Sequence, residues 1–271
     1  MTGWCEDPAV ASALLPGRPD DYIGTVVMDG GLLAPLEERA GILSLLGDKV
    51  PLPRAEARDN HSNERHLEYW LSGLRDARAV QRELGLTTSA QSVLGLERTG
   101  CGRVMRHLAR DLPGGRLFFG APNAAQVHVL NAIFEGRVQA FRTGAFPHLP
   151  FANASFDGVF AIETLPNTLE ACAWLLEFKR ILKPDGKVYA TLLDAEAWST
   201  LSEDGAGPPS TEASAVGHRV PRETRHDVRT DPAGSPFLAG SQFLSVWAKI
   251  MRIVLIEPRA KHGEISVVLC A

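Results

Sequence analysis

Apolar positions change their spacing along the chain, and each change predicts an element. Between Asn63 and Leu84, Leu67, Trp70, Leu71, Leu74, Ala77 and Val80 recur three and four residues apart. That spacing makes one apolar stripe on a helix, and Gly85 is its expected stop. From Ser92 onward the apolar residues come in short continuous runs instead. Five such runs read as strands: Ser92 to Leu96, Arg116 to Gly120, Arg137 to Phe141, Phe156 to Ile162 and Lys187 to Leu193. Helical stretches separate them at about Gly102 to Asp111, Ala124 to Phe134 and Leu169 to Leu182. Strands that are apolar on both faces and alternate with helices predict an α/β fold with a mostly parallel, doubly wound sheet.

The chain ends differently. A helix over Gly240 to Ile250 is followed by two apolar runs, Arg252 to Glu257 and Glu264 to Cys270. The Lys261-His262-Gly263 turn between them predicts an antiparallel C-terminal hairpin, which brings the sheet to seven strands. Two segments fall outside this rhythm. Residues 1–60 hold six scattered prolines, a strand-like run over Tyr22 to Met28 and a helical stretch over Leu36 to Leu46. They read as an N-terminal extension packed on a main domain at 61–271. Residues 202–236 are rich in Gly, Pro, Ser, Thr and charge, and so long a break inside a domain reads as a lid or insert loop.

Composition narrows the partners. With 45% hydrophobic and 22% charged residues among 271, the chain has the balance of a globular protein and is neither collagen-like nor mainly disordered. A formal net charge of −4 argues against a broad nucleic-acid-binding surface. Cys5, Cys101, Cys172 and Cys270 form no CxxC pair, which predicts neither a zinc site nor a disulfide scaffold and suits a reducing cytoplasm. No set of His, Asp and Glu has metal-ligand spacing, so no metal is expected. The first sixteen residues lack the basic start and apolar run of a secretory leader, and no uninterrupted apolar run reaches the ~18 residues that span a membrane.

Two motifs carry chemistry by their position. The run His148-Leu-Pro-Phe-Ala-Asn-Ala-Ser-Phe-Asp-Gly-Val-Phe-Ala-Ile162 places a buried strand after a Pro-containing turn. Ile181-Leu-Lys-Pro-Asp-Gly-Lys-Val-Tyr-Ala190 joins a helix to a strand through the tight Pro184-Asp185-Gly186 turn. Together they resemble the "LPF-x-x-x-SFD-x-V" and "LKPGG-x-L" signatures of class I S-adenosylmethionine-dependent methyltransferases. The helix around Trp70 to Ala77 and the ending from Gln242 to Cys270 also resemble a bacterial subgroup of that family. The resemblance runs from about Asn63 to Ala271.

What the resemblance implies is a cofactor, S-adenosylmethionine, at the carboxyl ends of the strands where strand order reverses. In that family a Gly-rich turn after the first strand meets the methionine end of the cofactor. An acid at the end of the second strand accepts from the ribose hydroxyls, and side chains after the third flank the adenine. Here the first feature is altered. Val93 to Val104 keeps Gly100, Gly102 and Arg103, is one residue longer, and has Gly95 where the usual acid stands. Glu97, Thr99, Gly100, Cys101 and Gly102 are the expected contacts, with Glu97 either a cofactor contact or a solvated loop acid. The second strand ends in Phe119-Gly120-Ala121-Pro122-Asn123 without a carboxylate, leaving Asn123 as the hydrogen-bonding group. Around the end of the third strand, Phe146 or Phe141 is the expected ring to stack on adenine.

After the fourth strand come Glu163 and Asn167, where family members carry substrate-facing or catalytic groups. With His148 they are the catalytic candidates, although Asn167 serves equally as a helix cap. Two functions follow. One is an enzyme that transfers a methyl group from S-adenosylmethionine to a small-molecule acceptor. The other is a methyltransferase-fold protein that no longer methylates. It would act as a structural or regulatory partner subunit, with a related protein or a second copy as partner, or as an enzyme repurposed for another reaction.

Overall fold

The computed structural model describes residues 7–16, 48–58, 62, 65–87, 90–97, 101–144, 146–165, 170–193, 228–230, 236–238, 240–258 and 264–271. The strand-like run over Tyr22 to Met28, the helical stretch over Leu36 to Leu46 and most of the 202–236 insert lie outside those residues.

Seven strands form one sheet in the order β3-β2-β1-β4-β5-β9-β8. They are β1 (Ser92–Glu97), β2 (Arg116–Ala121), β3 (Val138–Arg142), β4 (Phe156–Ile162), β5 (Leu182–Leu193), β8 (Arg252–Pro258) and β9 (Glu264–Cys270). Two short antiparallel strands, β6 (Val228–Thr230) and β7 (Pro236–Leu238), make a separate ribbon that begins inside the segment read as an insert loop and ends two residues beyond it. The chain divides into two compact units, Met1–Thr143 and Gly144–Ala271.

In the first unit β1, β2 and β3 are parallel neighbours, with Ser92 opposite Arg116 and Leu117 opposite Val138. All six residues of β1 are buried, as expected of a strand covered on both faces. Helix α2 (His66–Leu84) starts one residue before the first position of its apolar stripe, Leu67, and is capped by Gly85. Gly85 takes φ +65°, the left-handed conformation in which glycine has no Cβ penalty, and Leu86 N–H closes the end on the Gln81 carbonyl at 2.9 Å. Tyr69, Trp70 and Leu74 of α2 pack with Leu52 in one buried cluster. Burial of each large side chain contributes about 1.5–3 kcal/mol. Gly73 is required by close approach, because a Cβ there would lie 2.3 Å from the Arg103 carbonyl oxygen.

Helix α1 (Pro8–Ala13) is capped by Asp7, whose carboxylate accepts from Ala9 N–H at 2.9 Å. The same carboxylate meets His128 Nε2 at 2.6 Å. Leu15 N–H then donates to Leu52 O, and Arg54 N–H to Ala13 O, both at 2.8 Å. Two further helices flank the sheet, α3 (Met105–Asp111) and α4 (Ala124–Phe134). The stretch expected to be helical from Gly102 begins three residues later, since residues 102–104 form a turn.

In the second unit β4 and β5 are parallel, and β5, β9 and β8 are antiparallel in sequence, so the expected C-terminal hairpin is present. Phe156 pairs with Leu182 and Gly158 with Lys187, so residues 183–186 bulge out as the expected turn. Asp185 sits at φ +64° in that turn, and Lys183 Nζ bridges it to Asp157 at 2.8 Å. Helices α5 (Glu170–Ile181) and α6 (Gly240–Trp247) complete the unit.

Candidate cofactor site

The turn that leaves β1 is anchored at three residues. Glu97, the last residue of β1, is buried rather than solvated. Its Oε1 accepts from Val104 N–H at 3.2 Å, and its Oε2 lies 3.9 Å from Arg103 Nε. Arg103 in turn bonds Asp76 of α2 at 2.5 Å, with both side chains buried. Cys101 is held twice: its thiol donates to the Ala57 carbonyl, and its carbonyl accepts from Tyr69 Oη at 3.3 Å. The Arg58 guanidinium lies 4.5 Å from the centre of the Tyr69 ring and donates to His66 Nδ1 at 3.1 Å. Between these anchors Gly102 takes φ +65°, and a Cβ there would lie 3.1 Å from both Leu130 and Phe134. Thr99 and Gly100 lie outside the described residues.

Behind the turn is a second buried network. Asp48 Oδ2 accepts from Trp70 Nε1 and Arg106 Nε, each at 2.8 Å. Burial pushes its carboxyl pKa up, but the Arg106 charge and the hydrogen bonds outweigh that and hold it below the usual carboxylate range. His107 Nε2 donates to the Trp70 carbonyl at 3.1 Å, and the two rings meet edge-on with centroids 4.5 Å apart. Burial first, then the neighbouring Arg106 charge, lower its pKa to about 3, so the ring is neutral at physiological pH. Burial also raises the Tyr69 phenol, which therefore stays protonated and can donate.

Asn123 occupies the end of β2 with its side chain exposed, but its carbonyl oxygen is already engaged: it caps α4 by accepting from Gln126 N–H at 2.7 Å. The cap leaves the amide N–H groups as what this side chain can offer a ligand. Sequence reasoning placed Tyr69 on the helix over the site but missed Asp48, Asp76 and Arg106 as members of this neighbourhood. A signal existed for Asp76, which stands three residues after Gly73 and four before Val80 on the buried face of α2. A charge on such a face needs a partner.

In the second unit Glu163 follows β4 in the left-handed conformation, φ +55°. Its N–H donates to Thr191 Oγ1 of β5 at 3.0 Å, which supports that conformation, and its side chain is half-buried. Asn167 lies outside the described residues. His148 is exposed, beside a stretch pinned by Arg180. Arg180 donates to the Phe151 carbonyl at 2.8 Å and to Glu177, whose other bond is from Leu149 N–H at 2.6 Å. The Arg180 hydrogen bond holds the Glu177 carboxyl below its usual range. Phe146 is 81% exposed. Among the described residues no group of three His, Cys, Asp or Glu could hold a metal.

The first-unit residues fit a nucleoside cofactor on one condition, that donors replace the missing acid. Ribose hydroxyls and adenine ring nitrogens both accept hydrogen bonds, and the capped Asn123 amide is a fixed donor. The Glu97 carboxylate faces Val104 and Arg103.

The methyltransferase-domain family matches residues 98–190. No curated protein matches the chain. Solved structures share its fold. The 1,6-didemethyltoxoflavin-N1-methyltransferase of Burkholderia thailandensis, solved with 1,6-didemethyltoxoflavin and S-adenosylhomocysteine bound, superposes with TM-score 0.51 at 17% identity over 89% of this chain and 92% of its own. A chain of the Haloferax volcanii complex between the Trm112 methyltransferase activator and a methyltransferase gives 0.52 at 16% identity, over 74% and 92%. The [4+2]-cyclase SpnF gives 0.51 at 19%, over 70% of this chain and 61% of its own. The domain match covers about a third of the chain, and its mostly parallel seven-stranded sheet, ending in an antiparallel pair, is the fold that these S-adenosylmethionine-dependent methyltransferase structures share.

Proposed function

We propose that the chain transfers a methyl group from S-adenosylmethionine to a small-molecule acceptor. The observation that carries this reading is the anchored turn after β1, with Gly102 at φ +65°. It stands where the family meets the methionine end of the cofactor. S-adenosylmethionine supplies an already electrophilic methyl group, so the protein's part is alignment and exclusion of water. Thr99, Gly100, Cys101 and Gly102 would hold the methionine end through backbone groups, and Asn123 would donate to the nucleoside. An amide in place of a carboxylate weakens the ribose contact by about 1 kcal/mol. Phe146 offers an exposed ring for stacking on adenine.

Glu163 is the catalytic candidate this reading favours. A half-buried carboxylate after β4 can accept a proton from an N–H or O–H acceptor group or hold that group in line. Asn167 and His148 would assist in binding. A small molecule is favoured over nucleic acid by the net charge of −4, and over a membrane because no described helix is long and apolar enough to cross one. The Burkholderia relative in fold acts on a small heterocycle. A reducing cytoplasm suits the isolated cysteines.

A second reading has one observation in its favour, the engagement of Glu97 with Val104 and Arg103. On that reading the chain keeps the fold without methylating. It serves as a partner of another protein or of a second copy, or it catalyses another reaction, as the cyclase of similar fold does. Calorimetric titration with S-adenosylmethionine and S-adenosylhomocysteine separates the two. Micromolar binding, followed by release of S-adenosylhomocysteine with an acceptor from a small-molecule panel, supports methyl transfer. No binding at millimolar ligand sinks it and turns attention to partners.

A further inference from the structure

We propose that Tyr69, with the segment from Ala55 to Arg58, is a clamp that sets the shape of the cofactor turn and so positions the methionine end of the ligand. The inference rests on the cofactor reading above. Its observation is the double tether on Cys101, at the centre of that turn. The thiol donates to the Ala57 carbonyl from one side, and Tyr69 Oη donates to the Cys101 carbonyl at 3.3 Å from another. Neither partner belongs to β1 or α3. One lies in the amino-terminal segment and the other on α2.

The clamp is itself held in place. Arg58 lies over the Tyr69 ring at 4.5 Å and is fully buried. Leu52 and Trp70 pack beside Tyr69, and Asp48 ties the segment to Trp70 and Arg106. The turn gains from such support because it is rich in glycine. Gly102 adopts a left-handed conformation, and a glycine backbone has more freedom to lose than any other. A site on a loop binds well only when supporting groups fix the loop beforehand. The unusual extra residue in this turn makes outside support more necessary. Tyr69 is thus a positioning residue that acts through the Cys101 backbone, without touching the ligand.

The test separates the two ends of the ligand. Wild-type chain and Tyr69→Phe are titrated calorimetrically with S-adenosylhomocysteine, which carries the amino-acid end, and with adenosine, which lacks it. Thermal melting is recorded for both proteins. Phenylalanine keeps the ring and removes the hydroxyl, which donates to the Cys101 carbonyl and also meets the Arg106 guanidinium; melting registers the loss of both, and only the difference between the two ligands reads the clamp. The expected result is about fivefold weaker binding of S-adenosylhomocysteine, as for loss of one buried hydrogen bond, with adenosine affinity unchanged. Equal weakening of both ligands, or no weakening of either, overturns the clamp. If wild type binds neither ligand, the cofactor reading falls and the clamp with it. Should Tyr69→Phe not fold, Cys101→Ala removes the tether to Ala57, and the same selective loss is expected; unchanged affinity overturns the proposal.

Discussion

Arg103 and Asp76 form a buried ion pair, 2.5 Å between guanidinium and carboxylate, that ties the turn after β1 to helix α2. Both side chains have left water, so their value lies in being together. Asp76→Ala leaves the Arg103 charge buried, with the Glu97 carboxylate 3.9 Å away. The expected loss is about 3–5 kcal/mol, read by urea denaturation. The double variant Asp76→Leu with Arg103→Met should cost less than the single one. A loss below about 1 kcal/mol for Asp76→Ala would show that the pair is not the tie described.

His107 makes stability depend on pH in a definite window. Its pKa falls from 6.5 in the unfolded chain to about 3 in the folded one. Between those values the unfolded chain binds the extra proton, so stability is complete above about pH 6.5. It declines as pH falls toward 3, by up to about 1.4 kcal/mol per pH unit from this group. Asp48 and Glu177 have lowered carboxyl pKa values, and their stabilising effect is lost at more acid pH, as the native carboxylates protonate. Denaturation curves at pH 6.5 and 5 therefore isolate the histidine. His107→Phe, which retains an aromatic ring beside Trp70, should flatten the slope over that interval. An unchanged slope would contradict the assignment.

Gly102→Ala should weaken both the fold and the proposed site. A Cβ at φ +65° costs about 1 kcal/mol or more, and Leu130 and Phe134 at 3.1 Å must give way. A lower melting temperature is expected, together with weaker binding of S-adenosylhomocysteine. Gly100→Val tests the same turn by ligand affinity, which should be abolished while the fold remains. Unchanged affinity in both variants would move the cofactor site elsewhere.

Glu163→Gly should raise stability and lower activity. Glycine adopts φ +55° without the strain that Glu163 bears, a gain of about 1 kcal/mol set against its greater freedom in the unfolded chain. The lost carboxylate should reduce methylation once an acceptor is found, whereas a residue serving only as a turn would leave turnover intact. Melting and turnover measured on the same preparation decide between them.

The order of strands and helices was legible because each element satisfies its own pattern. β1 is apolar from Val93 to Leu96 and buried throughout. The stripe on α2 marks the face that packs on Leu52, and Gly85 ends the helix where a left-handed residue was needed. Pro184-Asp185-Gly186 announced its turn by local chemistry alone. The β6–β7 ribbon was not legible, since three-residue strands carry almost no periodicity.

The site was legible only in outline. By itself the sequence determined the fold class, the place of the glycine turn and the absence of an acid at the end of β2, because these depend on residue type and local spacing. Tertiary structure alone decided what each polar group does. It turned Glu97 inward to Val104, engaged the Asn123 carbonyl as a helix cap, and brought Asp48 to Arg106 and Tyr69 to Cys101 across 58 and 32 residues of chain. Those pairings arise because a buried polar atom must find a partner, and the partner is chosen by which elements pack together rather than by distance along the chain.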